Sequence, residues 1–257
     1  MAGSWRGTIG VVKPGVGTAS LVEFIRLLPD GINVIPKFAD IREHSVDGFR
    51  DALESYRQRI EELAQLGICD LIHPEGAPPF MVRGRAAEQA LVQEWEERYE
   101  VPVFTSSMIQ VEGLRAMGAH RFLGFTFYEG ALPDSFTSYF SDAGLDVAGM
   151  ETLPARSPDW PTPSAEDLYF HIKRAVRRHS GVQGIYLHGS SAWRLMDIGL
   201  LEEDLEVPVL RKGQIGFEAL LAGLRHSRPL RAGHVQGRLE QDLVLGWFDH
   251  RGIIRAS

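Results

Sequence analysis

Short apolar runs and amphipathic stretches alternate along this chain almost from end to end. Thr8-Ile9-Gly10-Val11-Val12 is rich in β-branched residues and closes at Lys13-Pro14-Gly15, which predicts a short strand. Residues 33–38 predict a second. From 46 to 66 the apolar residues Val46, Phe49, Leu53, Tyr56, Ile60 and Leu63 recur at steps of three and four, the stripe of an amphipathic helix. Ser45 stands where its N-cap belongs and Gly67 where it should stop.

The alternation continues. Residues 69–72 predict a third strand, followed by a Pro/Gly-rich loop over 73–79. A helix over 86–99, a strand at 103–105 and a helix over 111–117, ended by Gly118, come next. A buried strand at 122–125, a helix over 132–142 and a strand at 147–150 follow. The prolines within 157–163 mark a loop. Ser164 caps a helix reaching 179, with Glu166 and Asp167 in its first turn, where carboxylates suit the helix dipole. A strand at 184–187, a helix over 192–201, a strand at 207–210 and a helix over 217–224 complete the pattern.

Strands alternating with helices of this size imply βαβ units and a parallel sheet, an α/β fold. A strand, a polar or Gly/Pro loop and a helix occur near residue 73 and again near 188. Val101-Pro102-Val103 and Val207-Pro208-Val209 follow each at similar distance. This predicts two similar Rossmann-like lobes, residues 1–111 plus 213–257 and residues 112–212. Ligands of open parallel sheets bind beyond the carboxyl ends of the strands. The loops after Val12, Ile72, Phe125 and Leu187 are therefore where a ligand is expected.

Composition narrows the classes. A net charge of -7 argues against a nucleic-acid surface. One cysteine forms no internal disulfide, so the fold does not depend on an oxidising compartment. Residues 1–7 lack the apolar core of a secretory signal, and no apolar run approaches the roughly 20 residues that span a bilayer. A cytoplasmic protein with no membrane partner is the expectation. No His/Cys/Asp/Glu spacing reads as a metal site.

Several segments carry a resemblance. They are Thr8-Ile9-Gly10-Val11-Val12-Lys13-Pro14, Pro102-Val103-Phe104-Thr105-Ser106, Gly113-Leu114-Arg115-Ala116-Met117-Gly118-Ala119, Gly184-Ile185-Tyr186-Leu187-His188-Gly189 and Gly237-Arg238-Leu239. In order and spacing the chain resembles the aspartate/glutamate racemase superfamily, and within it the arylmalonate decarboxylases and maleate cis-trans isomerases. The resemblance covers roughly residues 8–240. It implies a cofactor-independent lyase or isomerase acting on a small carboxylic acid, with its active site in the cleft between the two lobes, and it leaves self-association open. Racemases and many relatives place a cysteine on each of two pseudo-symmetric loops, and the decarboxylase keeps only the second. Here the second position falls at Gly189 and the first at Glu75 or Gly76, while Cys69 lies too early. The fold is implied; the thiol chemistry is not.

Glu75 and His188 are the titratable groups nearest those two positions, and they are the expected acid/base pair. Gly76 and Ala77 on the first loop, and Gly189, Ser190 and Ser191 before the second helix, are expected to hold a carboxylate on backbone and hydroxyl donors. Simple N-capping by the serines is the plain alternative. Thr126 and Tyr128 follow the fifth strand. The resemblance gives Tyr128 a hold on a substrate oxygen and sets Phe49 where the decarboxylase has another tyrosine. Lys13 could meet an acidic substrate, although a lone exposed lysine is more often solvated. His73 could support Glu75, and Cys69 reads as a small buried apolar residue.

Two other classes compete. Gly15-Val16-Gly17-Thr18-Ala19-Ser20 with Asp40 imitates a dinucleotide fingerprint, but Ser20 replaces the third glycine and Pro14 precedes the turn, so an NAD(P)-binding oxidoreductase is a weaker reading. A non-catalytic carboxylate-binding protein would keep the fold without the chemistry.

Overall fold

The structure, a computed structural model, describes residues 7–16, 19–28, 31–153, 163–189 and 196–211. These contain seven strands and eight helices in two compact units, with the division between Ile109 and Gln110. The expected contribution of residues 213–257 to the first lobe, the helix at 217–224 and the dinucleotide-like residues 17 and 18 lie outside the described residues.

The first unit begins with β1 (Gly7–Lys13), α1 (Ala19–Leu27), β2 (Ile32–Phe38), α2 (Val46–Gln65) and β3 (Leu71–Pro74). It continues through α3 (Pro78–Met81), α4 (Arg85–Tyr99) and the start of α5 (Ser106–Ala116). Its sheet is parallel, in the order β2-β1-β3, and every residue of the central β1 is buried. The α2 stripe forms as its spacing predicts: Phe49, Leu53, Tyr56, Ile60 and Leu63 are buried. The Ser45 hydroxyl caps the helix by accepting from Gly48 N–H at 3.0 Å, a contact worth about 1 kcal/mol. Gly67 follows the end of the helix with φ +64°, a conformation glycine adopts without a Cβ penalty.

The second unit holds the rest of α5, β4 (Arg121–Thr126), α6 (Leu132–Asp142), β5 (Asp146–Thr152), α7 (Ala165–Arg178), β6 (Gly184–Leu187), α8 (Ile198–Leu205) and β7 (Val209–Arg211). Its sheet is also parallel, ordered β5-β4-β6-β7. Ser164 and Asp167 form a reciprocal capping box on α7.

The two units repeat one hydrogen-bond plan. Asp70 N–H donates to Thr8 O at 2.9 Å, and Gln183 N–H to Arg121 O at 2.8 Å. Ala39 N–H reaches Lys13 O as Leu153 N–H reaches Thr126 O, both at 2.8 Å. Ile72 N–H donates to Pro102 O and Ile185 N–H to Pro208 O, both at 2.9 Å. The repeated Val-Pro-Val segments thus do the same work in each unit. Their likeness extends upstream to Glu96-Glu97-Arg98-Tyr99-Glu100 and Glu202-Glu203-Asp204-Leu205-Glu206. Glu100 and Glu206 both take left-handed backbone after a helix, at φ 54° and 55°. The Glu96 carboxylate accepts Val103 N–H, and that of Glu202 accepts Val209 N–H.

Several expectations change, and the helix predicted over 111–117 begins at Ser106. The third strand begins at Leu71 rather than Cys69 and runs into Pro74, because Ile9–Val12 of β1 pair with it there. Residues 103–105 give only a single bridge, Ile72 to Val103. The predicted loop 73–79 contains the start of α3, whose first two positions are prolines. Residues 192–201 are not one helix: Met196 and Asp197 are non-helical, and Asp197 caps α8 by accepting Leu200 N–H at 3.1 Å. Helix α1 has no counterpart among the predicted elements.

Candidate functional site

The carboxyl ends of β3 and β6 carry the residues of interest, and the repeat plan places them in register. Glu75 N–H donates to Val12 O, and His188 N–H donates to Phe125 O, both at 2.8 Å. Each residue is therefore tied to the central strand of its own sheet in the same way. Gly76 and Gly189 follow, at φ +102° and +90°. The correspondence is Glu75 with His188 and Gly76 with Gly189.

In the first unit, the Lys13 ammonium forms an ion pair with Glu75 Oε2, and both side chains are buried. The plain alternative of a solvated Lys13 does not hold, because Lys13 belongs to a wholly buried strand. A cation in direct contact favours the carboxylate form of Glu75 over the acid. Tyr56 Oη donates to Glu75 O at 2.6 Å and fixes the backbone at that point. A Cβ on Gly76 would come within 2.9 Å of the same Tyr56 hydroxyl, so only glycine fits the turn. Gly76 N–H donates to Ser106 Oγ at 3.0 Å, so this expected anion donor serves an internal partner. Ala77 is buried and N-terminal to α3, with its carbonyl accepting from Phe80 and Met81.

A buried carboxylate that its place in the sequence does not announce supports this loop. Glu88 on α4 is fully buried and accepts from Thr105 Oγ1 at 2.5 Å and from the Ser107 hydroxyl. Those residues flank Ser106, so Glu88 helps to set the hydroxyl that holds Gly76. A glutamate in the first turn of a helix reads as a dipole partner, and nothing in its spacing points to burial. His73 sends Nδ1 to the Phe104 carbonyl at 2.8 Å and stacks on Phe104 and Phe24. A carbonyl only accepts, so Nδ1 carries a proton. Phe49 is buried and stacks on His44. Asp40, the acidic residue of the dinucleotide-like pattern, pairs with Arg42.

In the second unit, His188 is buried among aromatic rings. Phe136 lies 4.3 Å from it, Tyr186 5.4 Å and Tyr128 5.6 Å, centroid to centroid. The Tyr186 hydroxyl meets His188 Nδ1 and also Gln110 Oε1, at 2.5 Å from the latter. Burial pushes the Tyr128 hydroxyl up to about 12, so it keeps its proton and remains a donor. Thr126 is fully buried, and its Oγ1 accepts Tyr128 N–H at 3.1 Å. A Cβ on Gly189 would come within 3.1 Å of the Tyr128 ring. Ser190 and Ser191 lie outside the described residues.

Cys69 is buried against Gly10, whose Cβ would meet its sulfur at 3.1 Å. Among the described residues, no group of three His, Cys, Asp or Glu side chains is placed to hold a metal ion, and no helix is long and apolar enough to cross a membrane.

Two parallel sheets of matching plan, with polar residues at the ends of corresponding strands, define the α/β fold of the aspartate/glutamate racemase superfamily. Within it, the chain belongs to the arylmalonate decarboxylase family, which it matches over residues 9–238. The arylmalonate decarboxylase of Bordetella bronchiseptica is 24% identical over 214 residues, 82% of this chain and 87% of the relative. A crystal structure of arylmalonate decarboxylase shares the fold with a TM-score of 0.66 at 21% identity, over 91% of this chain and 98% of that one. A maleate cis-trans isomerase variant from Nocardia farcinica, holding a covalently bound succinylcysteine intermediate, gives 0.67 at 20% identity over 85% and 92%.

Proposed function

We propose that the protein is a cofactor-independent lyase or isomerase acting on a small carboxylic acid, with Glu75 and His188 as an acid/base pair in place of cysteines. The observation that supports this most is the register between the two units. In the repeat Glu75 corresponds to His188, each buried and each hydrogen-bonded within its own unit to an inner strand of the sheet at the same step. Gly189, where the resemblance puts the second thiol, and Gly76, one of the two places it gives the first, follow them in left-handed backbone.

The chemistry follows from the partners. With Lys13 against it, Glu75 is a carboxylate and acts as the base, taking a proton from the carbon next to the substrate carboxylate. The electron pair left on that carbon delocalises into the carboxylate. His188, carrying a proton on Nε2 at this step, then returns it to the carbon. In a decarboxylation the first step is replaced by loss of CO2, which leaves the same electron pair for His188 to protonate. Ala77, Thr126, Tyr128, Gly189, Ser190 and Ser191 are proposed to hold the substrate, while Lys13 sets the charge of Glu75 and Gly76 supplies the turn, its N–H being given to Ser106. The protonated Tyr128 hydroxyl and the backbone N–H groups suit a carboxylate or its enolate.

Proton NMR in D2O with a panel of arylmalonates, maleate, amino acids, hydroxy acids and unsaturated diacids tests the proposal. The expected result is deuterium uptake or a new product with the wild type. E75Q and H188N should each slow it by roughly a hundredfold or more. Wild-type rates in both variants would overturn the pairing. An acid that binds wild-type protein and never turns over would make it a carboxylate-binding protein instead.

A further inference from the structure

Tyr186 and His188 lie two residues apart at the end of β6, so their side chains leave the strand on the same side. Tyr186 is fully buried, and Gln110 is nearly so. Burial pushes the Tyr186 hydroxyl well above its ordinary range, so it remains a neutral phenol with one hydrogen to give. That hydrogen goes to Gln110 Oε1, 2.5 Å away. The remaining contact, between the Tyr186 oxygen and His188 Nδ1, closes as a hydrogen bond only if Nδ1 is the donor.

We infer that Tyr186, directed by Gln110, is a positioning residue that holds His188 as the Nδ1–H tautomer and leaves Nε2 to exchange protons with the substrate. The tautomer stands on this geometry; the use of Nε2 rests on the acid/base reading of His188. Phe136 and Tyr128 confine the ring from other sides, so the hydrogen bond sets the proton of a ring already fixed in place. The repeat sharpens the assignment. His73 occupies the matching place before Glu75, yet its Nδ1 is given to the Phe104 carbonyl. Only the second unit carries a phenol at this step.

Gln110 decides the sense of the chain. An amide oxygen toward Tyr186 accepts, and the ring proton stays on Nδ1. Without that acceptor the phenol hydrogen turns to Nδ1, and the ring proton moves to Nε2. Q110M removes the acceptor at nearly constant volume, and Y186F removes the hydroxyl while keeping the ring. Two-bond proton–nitrogen NMR on the full chain, with nitrogen-15 in its nine histidines, reads the tautomer directly. The H188N spectrum identifies the His188 signal.

In the ligand-free wild type the ring is expected to carry its proton on Nδ1. Q110M should move that proton to Nε2, and Y186F should give a mixture. Both variants should lower kcat by about tenfold or more, with KM little changed. A wild-type ring protonated on Nε2, or a Q110M ring unchanged from wild type, would overturn the inference. If Y186F fails to fold, Q110M decides. Should H188N turn over at the wild-type rate while the tautomer behaves as expected, the acid/base reading of His188 falls and the tautomer assignment stands.

Discussion

Cys69 has its thiol pushed up to about 11, by burial first and by the Asp70 carboxylate second. At neutral pH it is a protonated, packed side chain and a poor nucleophile. C69A should therefore keep the full activity of the wild type in the same NMR assay, and the folded protein should react slowly with a thiol reagent such as dithionitrobenzoate. A large loss in C69A would return thiol chemistry to the protein. Lys13 and Glu75 carry the opposite lesson. Residue type marked both as candidates, but the ion pair joins residues far apart in the chain, and only the β1–β3 pairing brings them together. Removing one partner leaves a buried charge, so K13M should cost about 3–5 kcal/mol in urea unfolding. The double variant K13M/E75L should recover most of that. Equal losses in the single and double variants would mean that the pair contributes nothing specific.

Elements with strong local signals were legible. The α2 stripe, the Ser45 cap and the Ser164 capping box follow from spacing and cap chemistry alone. The helix after β6 was not: Asp197 restarts the chain as α8, and a polar residue between apolar ones looks like one more exposed helical position. His171 and Arg178 of α7, with His179 just past its end, surround Glu151 of β5. Burial raises the Glu151 carboxyl, and the hydrogen bonds from Arg178, His179 and His171 outweigh it, so the group titrates below its ordinary 4.5. A carboxyl depressed on folding contributes stability above its unfolded pKa and loses it as pH falls through the folded value. The melting temperature of the wild type should thus fall as pH drops below about 4.5. E151Q should start lower and show a shallower decline, followed by circular dichroism. Parallel curves would remove Glu151 from the acid response.

At the scale of the whole molecule, the duplication organises everything else. The repeated Val-Pro-Val segments hinted at it in the sequence, and the backbone hydrogen bonds display it step by step. By itself the sequence determined the α/β class, most strands and helices, the family resemblance and the absence of a second cysteine. These depend on local periodicity, caps and residue identity, which short windows contain. Tertiary structure alone decided that Lys13 is buried and paired, that Gly76 N–H serves Ser106, that Glu88 is an internal carboxylate, and that Glu75 and His188 occupy one step of a repeated plan. Each of these depends on which strands lie side by side. Strand order and register are set by the packing of residues distant in the chain, and no local window records them.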